Sequence, residues 1–541
     1  MSHSLAIRIA PSHRHHDMGA FVQGWVTLSP FRHINRKQFS NCLRQPMISF
    51  GFVELGLLLL SFYLWKILRA RRNGPLPPGP RGWPVIGNLF DIPTSEKPWL
   101  EWAKLGEKYG DLVSIQVFGT TLMGINSYAQ VAKMFNDKSD IYSDRPPFTM
   151  ATEVSGMRNI MGALPNGRQL KSYRRMFQHE LGTNASVKNF LPYMHRQCKI
   201  FVKKIMDDPN GDLLDQCFHH TGSIILKVAY GYQAKVGDDP MIKLSTLSMN
   251  NFSAALATDQ FAVNRFPILL KVPEWLPGTE WKVRGRKWAR TTFDMATFPL
   301  DFTKKQLNEG TADDSFVGRW LKKTLSTEEE FHLKWAAASL FGAGAETTAL
   351  TIYGFVLRMC LNPEIQKNIH EEIDAVVGDG RLPTFEDRSQ LHYFEAVIKE
   401  IKRFHIYVPH STSEDDVHEG MFIPKGSIIF ANIWLMGHDP SVYKDPMTFD
   451  PMRFFGDRNE QDPSDYIFGF GRRLCPGRLL AEPSVFISIA MIAWAFDITP
   501  IPGEEPVYDT SPGMITRLRP FKCKITPRKD IEKLMTLLSV D

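Results

Sequence analysis

Apolar and polar positions give this chain several distinct rhythms. From Met47 to Ile67 the sequence MISFGFVELGLLLLSFYLWKI is apolar on every face of a helix, with Glu54 the only acid inside it and Lys66 near its end. A helix of that length spans roughly 30 Å, about the thickness of a bilayer core. Lys66 can snorkel from such a span. Arg69, Arg71 and Arg72 follow it, and basic residues on one flank predict that the chain beyond faces the cytosol. The other flank carries Arg32, Arg36, Lys37 and Arg44, which blurs that rule. The expectation is a membrane anchor over 47–67, preceded by an extension over 1–46 that is a gene-model artefact or a removable leader.

Beyond the anchor, residues 68–91 form a basic and proline-rich linker. Its segment Gly74-Pro75-Leu76-Pro77-Pro78-Gly79-Pro80 cannot be helix or inner strand and reads as a stiff spacer. From 92 to 541 one large domain is expected. Pro98 to Tyr109 has the spacing of an amphipathic helix stopped by Gly110. Leu112 to Phe118 and Thr121 to Ile125 alternate around Gly119-Thr120 and predict a β-hairpin. A second helix is expected near Tyr128 to Phe135. Helical periodicity then dominates from about 185 to 375, and strand signals recur only near 421–431 and from Met514 to Ile525. The predicted class is mostly α with a small β subdomain, without internal repeats.

Composition narrows the partners. Among 541 residues, 43% are hydrophobic and 12% aromatic, enough for a large core. The 64 basic and 58 acidic residues leave +6, too mild and too dispersed to suggest nucleic acid. Six cysteines are scattered without a CxxC pair, which disfavours a disulfide framework or a structural zinc site and fits a reducing compartment.

Three constellations carry chemistry. The first is Phe468-Gly469-Phe470-Gly471-Arg472-Arg473-Leu474-Cys475-Pro476-Gly477, a lone cysteine in a glycine-rich loop. Glycines permit backbone angles and close approaches that a side chain blocks, and a positive environment favours the thiolate, the metal-ligating form. The second is Phe341-Gly342-Ala343-Gly344-Ala345-Glu346-Thr347-Thr348, inside a long helix opened by a capping box at Ser326 and Glu329. An acid buried in such a run is a usable proton donor. Thr347 can bond the carbonyl of Ala343 and bend the helix, and Gly342 and Gly344 would let a ligand approach its backbone. The third is Glu400 and Arg403, three apart on one helix face, followed by Arg453 in Phe449-Asp450-Pro451-Met452-Arg453-Phe454. By spacing alone that pair equally fits a surface salt bridge worth about 0–1 kcal/mol.

Taken together, the order F-x-x-G-x-R-x-C-x-G, A-G-x-E-T-T and E-x-x-R resembles the cytochrome P450 superfamily of haem-thiolate monooxygenases over most of the chain. The resemblance implies that fold behind one N-terminal transmembrane helix, and haem b with Cys475 as axial iron ligand. Phe468, Gly471 and Gly477 would shape the ligand loop, and Arg174, Arg473 and His410 would contact the haem propionates. Thr347 would hold a water network and Glu346 would relay protons to O2. Glu400, Arg403 and Arg453 would form a buried structural triad. The segment Phe266 to Pro277 falls where the family's access lid dips into the membrane. The implied partners are an apolar small-molecule substrate and an NADPH-cytochrome P450 reductase, docked on a basic face of Lys171, Arg175, Arg472 and Arg478. The implied location is the endoplasmic reticulum membrane, single-pass, with a cytosolic catalytic domain. Ile141-Tyr142-Ser143-Asp144-Arg145-Pro146 and Tyr230-Gly231-Tyr232 resemble fungal members of the O-methylsterigmatocystin oxidoreductase-like group, which points to polyketide or terpenoid secondary metabolism.

The chain departs from that pattern in three places. Leu170 stands where a tryptophan is expected, the stretch from Ile406 to Val408 is about four residues short, and Pro483 falls early in the helix after Cys475, where a kink is expected. A haem-binding paralogue without turnover, disabled by the shortened loop, is one competing reading, and a haem-thiolate isomerase or dehydratase that needs no external electrons is another.

Overall fold

The computed structural model divides the chain into two units, Met1–Arg72 and Asn73–Asp541. In the first unit only Glu54, Leu57 and Ser61 are described, each helical. The second is described over 74–256, 260–404, 408–511 and 517–539. The expected extension (1–46) and most of the expected anchor (47–67) thus lie outside the described residues, as do 405–407 of the shortened loop.

Longer elements are labelled in chain order. The helices are α1 (Pro98–Tyr109), α2 (Arg168–Leu181), α3 (Leu191–Asp207), α4 (Leu213–Tyr230), α5 (Pro240–Leu256), α6 (Glu280–Asn308), α7 (Thr327–Leu361), α8 (Pro363–Val376), α9 (His392–Lys402) and α10 (Arg478–Ala495). The strands are β1 (Leu112–Val117), β2 (Thr120–Ile125), β3 (His410–Ser411), β4 (Asp416–His418), β5 (Met421–Ile423), β6 (Ile428–Ala431), β7 (Phe496–Thr499) and β8 (Lys524–Pro527).

The helical part is organised around α7. Its start follows from sequence: the Ser326 hydroxyl accepts from the Glu329 amide at 3.2 Å, and the Glu329 carboxylate accepts from the Ser326 amide at 3.0 Å. That reciprocal pair satisfies two otherwise orphaned donors. Beyond the first turn, α7 is apolar and buried on most faces, so it is a core helix surrounded by others. The helices α7 and α10 are both long and apolar enough to cross a membrane, but each is mostly buried in protein. Pro483 lies inside α10, which runs as one helix from Arg478 to Ala495.

The β part forms a four-stranded sheet in the order β1-β2-β6-β3, plus the pairs β4-β5 and β7-β8. Its hairpin turn is Phe118-Gly119, one residue earlier than the sequence suggested. Val117 pairs with Thr120, and both turn residues have positive φ, 49° and 86°. That is the type I′ pattern whose twist suits two-residue hairpins. β2 and β6 are parallel and join segments some three hundred residues apart in sequence.

Candidate active site

The cysteine loop is closed by its own backbone: the Cys475 amide donates to the Phe468 carbonyl at 2.7 Å. Gly469 and Gly471 have φ of 78° and 49°, the left-handed region that side chains disfavour. The close approach at Gly471 is to protein rather than to a ligand, because a Cβ there would overlap the Phe135 carbonyl oxygen. Its amide also donates to the Asn136 side chain at 2.9 Å. Burial pushes the Cys475 thiol up; the amides of Gly477 and Arg478 and the charges of Arg174 and Arg478 pull the other way. The positive charge near the sulfur therefore comes from those two arginines. Arg472 instead pairs with Asp140. The amides around the sulfur follow from the tight turn into α10.

Cys475 lines a cavity of about 640 Å³, within the usual range for small-molecule sites. Thr347 and Glu346 line it from α7, and Gly477, Arg473 and Arg145 also face it. Most of the remaining wall is apolar, including Ile225, Phe252, Leu350 and Leu480. The Thr347 hydroxyl donates to the Ala343 carbonyl at 3.0 Å, and Thr221 of α4 donates to the neighbouring Ala345 carbonyl at 2.7 Å. Two carbonyls of one turn thus carry extra hydrogen bonds, the arrangement that bends a helix.

The structure gives several of the expected residues partners that the sequence did not show. Gly342 and Gly344 line the cavity, as a ligand approach to the backbone requires, and they also serve helix packing: an added Cβ would meet the Met249 sulfur at 2.7 Å and Ile225 at 3.0 Å. Glu346 is not an isolated acid, because its carboxylate accepts from Arg517, with Nε at 2.8 Å and Nη2 closer still. Arg174, Phe468, Gly471 and His410 are not among the residues lining the cavity. Arg174 donates to the Leu474 carbonyl at 2.8 Å and so braces the loop beside Cys475. His410 is fully buried, stacks on Phe135 at 4.3 Å, and pairs through Nδ1 with the Tyr142 carbonyl at 2.7 Å. Burial, then the charges of Arg145 and Arg473, hold it well below the usual histidine range. It is a neutral wedge beside two arginines.

Arg473 is oriented by the carbonyls of Ser143 (2.7 Å), Met161 (3.2 Å) and Leu164 (2.5 Å). Arg145 donates to those of Val408 (3.0 Å) and Pro409 (2.6 Å). Sequence reasoning gave Arg145 no role, although it sits in a stretch that carried the family resemblance. It missed Arg517 as well, since a pair separated by 171 positions leaves no local pattern.

The triad is assembled. Glu400, Arg403 and Arg453 are all 0% exposed. Arg403 grips Glu400 with two parallel bonds of 2.9 and 2.8 Å, and the Asp450 amide donates to the same carboxylate at 2.9 Å. Arg453 Nε lies 3.5 Å from Glu400 without forming a hydrogen bond. Its other nitrogens bond Lys444, Asp445 (2.6 Å), Thr448 (3.1 Å) and Glu460 (3.1 Å). Burial pushes the Glu400 carboxyl up; Arg403, the Asp450 amide and Arg453 oppose that. This network fastens α9 to the segment that leads into the cysteine loop.

The donor set suits a flat macrocycle with acidic edge groups. It offers one sulfur with amides directed at it, two oriented arginines in the lining, and a mostly apolar remainder. The family model for Cytochrome P450 matches residues 77–525. Cytochrome P450 monooxygenase 208 of Postia placenta is 40% identical over 89% of this chain and 96% of its own length. Cytochrome P450 monooxygenase claR of Ampulloclitocybe clavipes is 37% identical over 90% and 93%. The O-methylsterigmatocystin oxidoreductase of Aspergillus flavus is 35% identical over 90% and 94%. On this loop, this cavity and these relatives, the chain belongs to the cytochrome P450 family, whose members hold haem iron through a cysteine thiolate, and it is an oxidoreductase of the monooxygenase class.

Proposed function

We propose that Cys475 is the iron ligand and that the cavity above it takes an apolar small molecule of fungal polyketide or terpenoid metabolism. The observation that carries this reading is that Cys475 and the Thr347–Glu346 pair line the same cavity. Bound haem would supply the activation of O2 and the insertion of one oxygen atom into the substrate. The chain's own residues do the rest. Gly477 and Arg478 direct amides at the sulfur, and Arg145 and Arg473 would take the acidic edge groups. Arg174 and His410 would brace these contacts from outside the cavity. The α7 turn whose carbonyls carry extra hydrogen bonds presents Thr347 to the cavity, where its Oγ1 would hold a water, while Arg517 fixes the Glu346 carboxylate one residue away as the proton relay. The apolar walls exclude bulk water. A relative named as an O-methylsterigmatocystin oxidoreductase supports the substrate class.

Electrons would come from an NADPH-cytochrome P450 reductase. Lys171, Arg175 and Arg478 are exposed and the charge of Arg478 reaches Cys475; a basic face there would suit an acidic partner. The anchor at 47–67 would hold the enzyme on the endoplasmic reticulum, and exposed apolar groups support a membrane-facing surface. Ile268 and Trp275 project from the expected lid, and Phe266 packs edge-on against Phe118 of the hairpin turn at 5.5 Å. Co-expression with a reductase and a screen for oxidised metabolites tests the proposal. Oxygenated product formed with NADPH consumption is expected. Haem binding without NADPH use would favour the non-catalytic reading, and conversion without NADPH the isomerase or dehydratase.

A further inference from the structure

Arg358, near the C-terminal end of α7, is 8% exposed and lines the same cavity as Cys475. Its guanidinium lies 3.9 Å from the Tyr508 ring centroid and 4.0 Å from that of Phe404, with Phe449 at 5.0 Å. Cation–π contact of this kind orients an arginine, and a side-chain hydrogen bond with Tyr508 takes up part of its donor set. No ion pair involves Arg358 among the described residues, and its Nη2 is buried without a hydrogen-bond partner. The acid whose charge reaches it is Glu400, already shared between Arg403 and Arg453. Burial pulls the Arg358 guanidinium below its usual range, with Tyr508 and then Glu400 opposing.

A buried cation without its own counter-charge is costly, and burial does not neutralise an arginine at physiological pH. Nothing else in the triad or the cysteine loop uses this side chain. We propose that Arg358 is a substrate-binding residue that takes an anionic oxygen group, so that the preferred substrate is an apolar molecule with a carboxylate at one end. Trp434, Met447 and Val408 line the same cavity and supply apolar wall for the rest of the molecule. The inference names the substrate class of the site proposed above and rests on that reading.

The test uses purified holoenzyme and a series of saturated fatty acids paired with their methyl esters, with binding read by calorimetry. One charge-assisted hydrogen-bonded contact corresponds to an affinity difference on the order of 10- to 100-fold. The expected result is that the best acid binds more tightly than its ester by that factor. Arg358→Leu and Arg358→Gln abolish the preference, and Arg358→Lys retains part of it. The reduced carbon monoxide spectrum is recorded for each variant to show that the haem site is intact. Equal affinity for acid and ester, no binding by any acid in the series, or a preference that survives in the Leu and Gln variants would each overturn the proposal. A calorimetric preference in a protein lacking the thiolate spectrum would retain the anion site and reject the haem-ligand reading instead.

Discussion

Replacing Glu400 by alanine is the most informative disturbance of the scaffold behind the cysteine loop. The carboxylate holds Arg403 through two bonds and accepts the Asp450 amide, with Arg453 at 3.5 Å. Removing it leaves two cations buried together. Breaking a buried pair costs about 3–5 kcal/mol, and an orphaned buried amide adds about 1–3 kcal/mol. Arg403 keeps its bonds to the carbonyls of Gly437, Pro446 and Thr448, and Arg453 keeps its own, which limits the loss. A net cost of about 4 kcal/mol is expected, a large share of a stability of about 5–15 kcal/mol. Glu400→Gln, which retains the shape and an acceptor for Asp450, should fall in between. The assay is haem content per protein together with the thermal midpoint. A Glu400→Ala protein with wild-type haem content and an unchanged midpoint would refute the structural role.

Three further outcomes are expected. Thr347→Ala removes the hydroxyl bonded to Ala343; product formation should drop on the order of 100-fold while NADPH is still consumed and hydrogen peroxide appears, whereas unchanged product per NADPH contradicts the assignment. Gly471→Ala places a Cβ against the Phe135 carbonyl at a φ of 49°; the left-handed angle alone costs about 1–2 kcal/mol, so haem retention after gel filtration should fall, and full retention would show that the loop tolerates a side chain there. His220 and His438 are both held down to about 3, chiefly by burial, so the folded protein keeps them neutral. Their contribution to stability is complete above the unfolded value of about 6.5 and is lost as pH falls towards 3. Each contributes about 1.4 kcal/mol per pH unit in that window. Proton uptake on unfolding at pH 5 should be one lower in His220→Asn, and identical uptake would exclude that histidine.

Much of this architecture is legible in local sequence because its signals are local. Ser326 and Glu329 mark the start of α7, the alternation over 112–125 marks the hairpin, and the spacing of Glu400 and Arg403 puts them on one face. The burial of that pair was legible only through the family resemblance, not through spacing. It depends on Arg453 and the carbonyls of 437–448, which arrive from another segment. The packing role of the α7 glycines was hidden for a similar reason. Only the packing of Met249 and Ile225 shows what their missing side chains make room for. Partners separated by a long stretch of chain, such as Glu346 with Arg517 or Arg358 between Phe404 and Tyr508, leave no periodicity. The loop cysteine stood out because several rare residue types occur there in fixed order.

The central claim is that Cys475 ligates haem iron in the shared cavity. The most direct measurement is the reduced carbon monoxide difference spectrum of the full-length holoprotein and of Cys475→Ser at equal haem content. The wild type should give the long-wavelength Soret band characteristic of thiolate ligation, and the serine variant should lack it. A wild-type spectrum without that band, or a serine variant that keeps it, would contradict the account.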